Sequence, residues 1–287
     1  MGYPQDSPIY QKGPGSTGPG GAAGLYYRPT NFAIAPSGDF WVGDGYGSYY
    51  MFHYSQKGNS YPKLVNTFGG PPAGAAAPGG GGGGQAKGGG GRGQGKGGDQ
   101  AKGPGGPGAD QAKGPAPDQA KGGGGAPGGG RAAAPPRQPG QPGVPRNVPI
   151  ESMNNPHGNM VDLRDPSKPV LLVADRGNQR IVRYTLDDKP IDVIAGTLQP
   201  CHFHEHKGLI VVPDLASRVT VLDKDNKVVA HLGEGLVGNP PRTTDDRSKF
   251  VPGQFVNPHG ACFDHNGNIF VAEWVEIGRV TKLRKLA

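Results

Sequence analysis

Short apolar runs separated by turn residues recur along this chain. In one stretch, Asn155-Pro156-His157 opens an alternating run, Leu171 to Asp175 forms a second, Arg180 to Tyr184 a third, and residues 191–195 a fourth. Gly, Pro, Asn and Asp residues lie between these runs. The pattern predicts short β-strands joined by turns.

The same unit occurs four times, each time opening with a proline and ending its second strand in an acidic residue. The openings are Arg28-Pro29-Thr30, Asn155-Pro156-His157, Gln199-Pro200-Cys201 and Asn257-Pro258-His259, and the acids are Asp44, Asp175, Asp214 and Glu273. A repeat of roughly 40 residues with four strands per unit is typical of β-propeller blades. The sequence therefore predicts an all-β fold, a β-propeller of four-stranded antiparallel blades, about four of which are recognisable. Unrelated hairpins in a β-sandwich are the alternative.

Composition divides the chain further. It contains 54 Gly and 31 Pro, more than a globular domain usually has. Most of these additional Gly and Pro residues lie between residues 69 and 149, where Gln-Ala-Lys-Gly recurs. Such a segment buries too little apolar surface to offset its chain entropy. We therefore predict a low-complexity N-terminal segment at 1–24, a blade at 25–69, a disordered Gly/Pro/Ala/Lys-rich insert at 70–149 and three blades at 150–287.

The net charge of +7 comes almost entirely from the insert, where residues 71–149 hold nine Lys or Arg and three Asp. The blades are therefore nearly neutral, which argues against specific nucleic-acid binding. No run of 18 apolar residues is present, so no membrane span is predicted. Residues 1–24 lack the hydrophobic region of a signal peptide. The oligomeric state stays open.

The sequence ends directly after the third strand of the fourth blade, whereas a closed propeller pairs all its edges. We expect either a relative of a longer propeller that lacks one or two N-terminal blades, a compact four-bladed ring, or an assembly of chains.

The residue after each opening proline begins the innermost strand of its blade, and such positions converge on the propeller axis. These residues are Thr30, His157, Cys201 and His259. Two imidazoles and a thiolate form a zinc-type donor set with one position open. The alternative is that these side chains simply fill the channel. His202, His204 and His206 alternate and could also bind metal, but we interpret His204 and His206 as part of a partly exposed polar edge.

Tyr46 and Arg176 follow two of the strand-ending acids, on turns at the mouth of the channel. A phenol beside a positive charge can serve as a general base, and a guanidinium can bind a carboxylate through two hydrogen bonds. The alternative for both residues is hydrogen bonding within the turn. We interpret Asp44, Asp175 and Asp214 as structural turn caps.

Three phrases carry a resemblance to a known family. They are Arg28-Pro29-Thr30 with Val42-Gly43-Asp44-Gly45-Tyr46, Pro156-His157 with Val173-Ala174-Asp175-Arg176, and Asn257-Pro258-His259 with Val271-Ala272-Glu273. The sequence resembles the six-bladed NHL-repeat propellers, and among them the peptidyl-α-hydroxyglycine α-amidating lyases. The resemblance implies that His157 and His259 bind zinc, that Tyr46 deprotonates the substrate hydroxyl and that Arg176 belongs to the same site. It also implies cleavage of a C–N bond to give an amidated peptide and glyoxylate, and an extracytoplasmic location.

The sequence departs from the family at several positions. The family's first zinc-ligand histidine, another active-site arginine and part of a calcium site belong to an earlier blade that this sequence does not include. Asn257 stands where the family has Met, and Gly260 where it has an acid, so the calcium site is not supported here. We hypothesise that Cys201 replaces the missing histidine. The sequence leaves open a zinc-dependent lyase, an inactive fragment of one, and a non-catalytic NHL propeller that binds a peptide, protein or glycan.

Overall fold

The structure of this chain is a computed structural model. The described residues are 4, 6–10, 27–58, 60–73, 146–234 and 240–286. Most of the predicted N-terminal segment, and the predicted insert apart from its two ends, lie outside the described residues.

Four antiparallel sheets follow one another along the chain, and the predicted β-propeller fold is confirmed. Blade 1 contains β1 (Asn31–Ile34), β2 (Phe40–Gly43), β3 (Tyr50–Ser55) and β4 (Lys63–Gly69). Blade 2 contains β5 (Pro156–Asp162), β6 (Val170–Asp175), β7 (Arg180–Thr185) and β8 (Pro190–Ile194). Blade 3 contains β9 (His204–His206), β10 (Leu209–Asp214), β11 (Arg218–Leu222) and β12 (Val228–Leu232). Blade 4 has three strands among the described residues, β13 (Pro258–Phe263), β14 (Ile269–Glu273) and β15 (Arg279–Leu283).

Two 3-10 turns, Arg176–Asn178 and Arg247–Lys249, are the helical elements among the described residues. None of the helices in this part of the chain has the length and apolar character needed to cross a membrane.

The second strands of blades 2 and 3 are continuous apolar runs because both of their faces are buried between neighbouring blades. In β6, Leu171 and Val173 pack in one core cluster with Trp41 of blade 1. Leu172 packs in the next cluster with Ile210 of blade 3. Successive side chains of a strand point to opposite faces, so one strand contributes to two cores.

The beginnings of two innermost strands differ from the prediction. In blades 2 and 4 the strand begins at the opening proline itself, but β1 begins one residue after Thr30 and β9 three residues after Cys201. In blade 3, Pro200 bridges Asp214 and regular pairing resumes only where His204 meets Val211. One extra residue is accommodated between these points, a β-bulge that interrupts the ladder.

The acid at the end of each second strand is buried, and its carboxylate accepts a hydrogen bond from the backbone just before the first strand of the same blade. Backbone N–H groups donate to these carboxylates from Arg28 to Asp44 (2.6 Å), from Asn154 to Asp175 (2.8 Å), from Leu198 to Asp214 (2.5 Å) and from Val256 to Glu273 (2.5 Å). These contacts support the interpretation of the acids as structural caps, extended here to Glu273.

An arginine at the start of the third strand pairs with the acid in blades 2 to 4. Arg180 lies 2.7 Å from Asp175, Arg218 lies 3.6 Å from Asp214, and Arg279 pairs with Glu273. Blade 1 has Tyr50 at this position, and there the hydroxyl of Tyr10 donates to Asp44 at 2.5 Å. Ile9 and Tyr10 are buried against Phe40 and Phe52, so these two residues cover part of the face of blade 1 opposite to the one that packs on blade 2.

Candidate functional site

The Asn-Pro-His sequences of blades 2 and 4 place their histidines in β-bulges. Pro156 pairs with Asp175 and Asn159 with Val173, so His157 and Gly158 share a single partner position. The pairing shifts in the same way between Pro258 and Gly260, at His259. Bulges re-aim side chains and occur often beside functional sites. Here they turn both imidazoles out of the regular alternation of their strands.

The asparagine before each of these prolines fastens its blade to the preceding one. Asn155 and Asn257 have positive φ values of 62° and 53°, which asparagine tolerates better than most residues. The Asn155 amide donates to the carbonyl of Gly45 (2.5 Å), and the Asn257 amide donates to that of Leu215 (3.0 Å). Both acceptors lie on the turn that follows the acid of the neighbouring blade. Asn257, a departure from the family pattern, therefore has the same role as Asn155.

Three of the four predicted axial residues come together. The ligand atoms of His157, Cys201 and His259, here called the donor cluster, all lie within 4.8 Å of one another. The centres of the two imidazole rings are 4.8 Å apart, and the ring planes are nearly perpendicular. Thr30 takes no part, because its hydroxyl donates to the Pro156 carbonyl at 2.8 Å. Thr30 instead joins blade 1 to blade 2 beside the cluster.

The imidazole of His157 has a defined tautomer. Its Nδ1 lies 2.8 Å from the carbonyl oxygen of Cys201, which only accepts, so Nδ1 carries the proton and donates. The Nε2 lone pair is left for the cluster, where the Tyr46 hydroxyl lies 3.2 Å away and donates to it. Burial, reinforced by the charge of Arg176, lowers the pKa of His157 to about 3, so the ring is neutral near pH 7. A histidine that donates one ring N–H to a carbonyl and presents the other nitrogen is the usual arrangement of a metal ligand.

Glycine at position 158 permits the Cys201 contact. A Cβ atom there would lie 2.6 Å from the Cys201 carbonyl oxygen. Any side chain would therefore push blade 3 away from His157. The Pro-His-Gly sequence thus sets both the direction of the imidazole and the approach of the next blade.

Cys201 is a buried thiol beside a positive charge. Burial raises its pKa to about 11, against the opposing effect of Arg176, whose Nη1 lies 3.7 Å from Sγ. The thiol donates to the carbonyl of Gln199 at 3.4 Å. A bound metal ion displaces such a proton, because a coordinating thiol is deprotonated outright.

Arg176 and Tyr46 form a pair at the rim of the cluster. The Arg176 Nη2 donates to the Tyr46 hydroxyl at 2.9 Å, and the guanidinium carbon lies 5.3 Å from the centre of the phenol ring. The hydroxyl therefore connects Arg176 to His157 by two hydrogen bonds. Arg176 thus contacts both the phenol and the thiol.

Two further residues lie near the donor cluster: His202, one of the three alternating histidines that the sequence identified as possible metal ligands, and Trp274, which was not singled out from the sequence. His202 lines the same cleft as the donor cluster, and its buried Nδ1 has no hydrogen-bond partner within the described residues. Trp274, the residue after Glu273, is 49% exposed, and its ring lies 6.1 Å from that of His259. The Arg242 guanidinium lies 4.1 Å from the Trp274 ring. Trp274 occupies in blade 4 the position of Arg176 in blade 2, which is the signal that could have identified it.

His204 and His206 lie away from the donor cluster. The His204 Nδ1 accepts the backbone N–H of Phe263 at 3.2 Å, and the His206 ring lies 5.5 Å from the Phe263 ring. Both side chains are half-buried against blade 4, so their alternation serves blade packing.

The donor set is chemically suited to zinc. Two neutral imidazole nitrogens and one sulfur are ligands that favour Zn²⁺ over Mg²⁺ or Ca²⁺.

No family model matches this sequence. No curated protein shows detectable similarity to it either. Among solved structures, the chain is similar to one described as "Streptogramin B lyase structure", with a TM-score of 0.39 and 9% sequence identity. The match covers 89% of this chain and 65% of that one, so this chain spans less than two thirds of its length.

Proposed function

We propose that this propeller is a zinc-dependent, amidating-lyase-like enzyme that cleaves the C–N bond of a peptidyl-α-hydroxyglycine. The observation that carries the proposal is the donor cluster, with ligand atoms from three different blades within 4.8 Å. The resemblance of the Pro-His and Asp-Gly-Tyr phrases to NHL-repeat amidating lyases supplies the reaction.

His157, Cys201 and His259 hold the metal. When bound, zinc supplies Lewis-acid polarisation of the substrate's oxygen atoms. The neutral imidazole of His157 is suited to this role because its Nδ1 proton is already engaged by the Cys201 carbonyl. Cys201 takes the place of the histidine that the family provides from another blade.

Tyr46 and Arg176 act on the substrate directly. Tyr46 acts as a phenolate: with a metal on His157 Nε2 its hydroxyl would no longer donate there, and the phenolate oxygen, which accepts from Arg176, takes the proton of the substrate hydroxyl. Arg176 also binds the substrate carboxylate. As the hydroxyl oxygen forms a carbonyl, the C–N bond breaks and its electron pair goes to nitrogen. Tyr46 passes the hydroxyl proton to this nitrogen, so the products are a peptide amide and glyoxylate, with no other reactant consumed.

The test is glyoxylate release from a peptidyl-α-hydroxyglycine by the full chain loaded with zinc. We expect turnover above the uncatalysed rate, and a loss of 10²-fold or more in Tyr46→Phe, as is typical on the order of 10²–10⁴ when a general base is removed. Tyr61→Phe is the matched control, since Tyr61 is 94% exposed on a hairpin of the same blade. A zinc-loaded chain that gives no turnover, or equal rates in both variants, would contradict the proposed reaction.

A second candidate is a non-catalytic propeller whose rim binds a peptide, protein or glycan. The half-exposed Trp274 with Arg242 stacked on it favours this alternative, because exposed aromatic and arginine side chains are enriched where proteins bind partners. Metal analysis separates the two candidates. About one zinc per chain, lost in His157→Ala, supports the lyase, whereas a folded chain without transition metal supports the binding module.

A further inference from the structure

A cleft of about 560 Å³ opens beside the donor cluster, and blade 4 forms much of its wall. His157, Cys201 and His259 line one part of it. Tyr46 and Arg176 do not line this cleft, so the cluster is reached from the rim on one side and from the cleft on the other.

The wall of the cleft is the apolar part of a sheet face that no other blade covers within the described residues. Lys282, which pairs with Phe270, lies on the same face with its ammonium nitrogen 5.0 Å from the centre of the Phe270 ring. Cys262 pairs with Phe270, and Ala272 pairs with Val280, so these four side chains share one face of β13, β14 and β15. The opposite face of the same strands, with Ala261 and Val271, packs into the core shared with blade 3. Val280 is 68% exposed, and Cys262 and Ala272 are also exposed.

The charges around the cleft favour an anionic head beside an apolar body. Within the part of the chain that the structure describes, Asp, Glu, Lys and Arg side chains do not line the cleft. The Arg176 guanidinium lies 3.7 Å from the Cys201 sulfur at its inner end, and the Lys282 ammonium lies over the Phe270 ring of its wall. A bound zinc ion would add to this positive charge. Glu273, the acidic residue directly after the lining residue Ala272, forms an ion pair with Arg279 and accepts a hydrogen bond from the backbone N–H of Val256.

We propose that the cleft binds the apolar body of a ligand whose anionic, metal-binding head lies at the donor cluster. The ligand class is a carboxylate, or another oxygen-donor anion, that carries an unbranched aliphatic chain. This inference rests on the proposed zinc site. It adds that the apolar wall of the cleft determines which ligands the protein prefers.

The experiment compares two hydroxamates that share the same zinc-binding head, acetohydroxamate and octanohydroxamate. Both are titrated calorimetrically into the full chain after its zinc content has been measured. Each buried methylene contributes roughly fourfold to affinity, so burial of about three of the six additional methylenes predicts binding of octanohydroxamate on the order of 50-fold tighter.

Val280→Asp places a charge on the exposed wall of the cleft without disturbing a buried position. We expect it to weaken octanohydroxamate binding about tenfold and to leave acetohydroxamate binding unchanged. Val229→Asp is the matched control, because Val229 is 54% exposed on the outer strand of blade 3. Val280→Thr, which keeps the β-branched shape, should weaken octanohydroxamate in the same direction by a smaller factor.

Four outcomes would overturn the inference. Equal affinities for the two hydroxamates on a zinc-loaded chain would show that the cleft does not bind the apolar body of the ligand, and so would a chain-length preference that Val280→Asp leaves intact. Either result would leave the proposed metal site standing. A dimer that Val280→Asp converts to a monomer would show that a second copy covers this face. A folded chain that binds no zinc would refute the metal site and the inference together.

Discussion

Asp188 joins blades 1 and 2, and these blades carry Tyr46 and His157. A substitution at Asp188 therefore tests the contacts that position Tyr46 against His157. Asp188 lies in the turn between β7 and β8 of blade 2 and reaches into blade 1. Its Oδ1 accepts from the Trp41 indole at 2.6 Å. Its Oδ2 accepts from the His53 Nδ1 at 2.8 Å and from the Asn66 amide at 3.0 Å. Asp188→Asn keeps the shape of the side chain but replaces one of the two accepting oxygens with a donor.

The expected loss follows from the number of donors left without an acceptor. In either orientation of the new amide, at least one of Trp41, His53 and Asn66 faces an NH₂ group. A buried donor without an acceptor costs about 1–3 kcal/mol, and the surviving bonds lose their charge assistance. We expect Asp188→Asn to lower the free energy of unfolding by about 2–4 kcal/mol, a large part of the roughly 5–15 kcal/mol of a typical domain.

The assay is urea unfolding followed by tryptophan fluorescence and circular dichroism. Asp187→Asn is the matched control, because Asp187 is the exposed neighbour of Asp188 in the same turn. Its free energy of unfolding should stay within about 0.5 kcal/mol of the unsubstituted chain. If the two variants unfold at the same urea concentration, Asp188 does not join the blades, and the reasoning is refuted.

Two further predictions concern tyrosines of blade 1. Tyr10→Phe removes the hydroxyl that donates to the buried Asp44, so it should lower the free energy of unfolding by about 1–2 kcal/mol in urea titrations; an effect as small as that of Tyr61→Phe would show that the N-terminal segment does not pack there. Burial, with smaller contributions from Asp6 and Asp44, raises the pKa of Tyr54 to about 12 from its usual 10. Between these pH values the unfolded chain loses the phenol proton and the folded chain keeps it, so stability is complete below pH 10 and falls as pH rises toward 12. Tyr54→Phe keeps the stacking on Phe40 and should flatten this part of the stability profile; an unchanged alkaline slope would contradict the assignment.

The blade pattern could be predicted from the sequence because the second strands are short apolar runs, and those of blades 2 and 3 are buried on both faces. A strand such as Leu171 to Asp175 needs apolar residues at successive positions, and turn-forming residues at both ends give its limits. The convergence of His157, Cys201 and His259 could also be predicted, since equivalent positions of repeated blades meet at one axis.

Other features depend on contacts that sequence patterns do not encode. The bulges at His157 and His259 add one residue without a compositional signal, so strand limits near the axis shift. Tyr10 lies in a Gly/Pro-rich segment, and its contact with Asp44 replaces an arginine that blade 1 lacks. Arg242 belongs to the connection between blades 3 and 4, and only the folded chain brings it onto Trp274.

Cobalt substitution tests the central claim, a metal ion held by two histidines and one cysteine, most directly. The full chain should bind one Co²⁺ per molecule and show a thiolate-to-cobalt charge-transfer band in the near ultraviolet. The band should disappear in Cys201→Ser and persist in Cys262→Ser, because Cys262 is the exposed cysteine outside the donor cluster. A folded chain that binds no cobalt, or a band that survives in Cys201→Ser, would contradict the account.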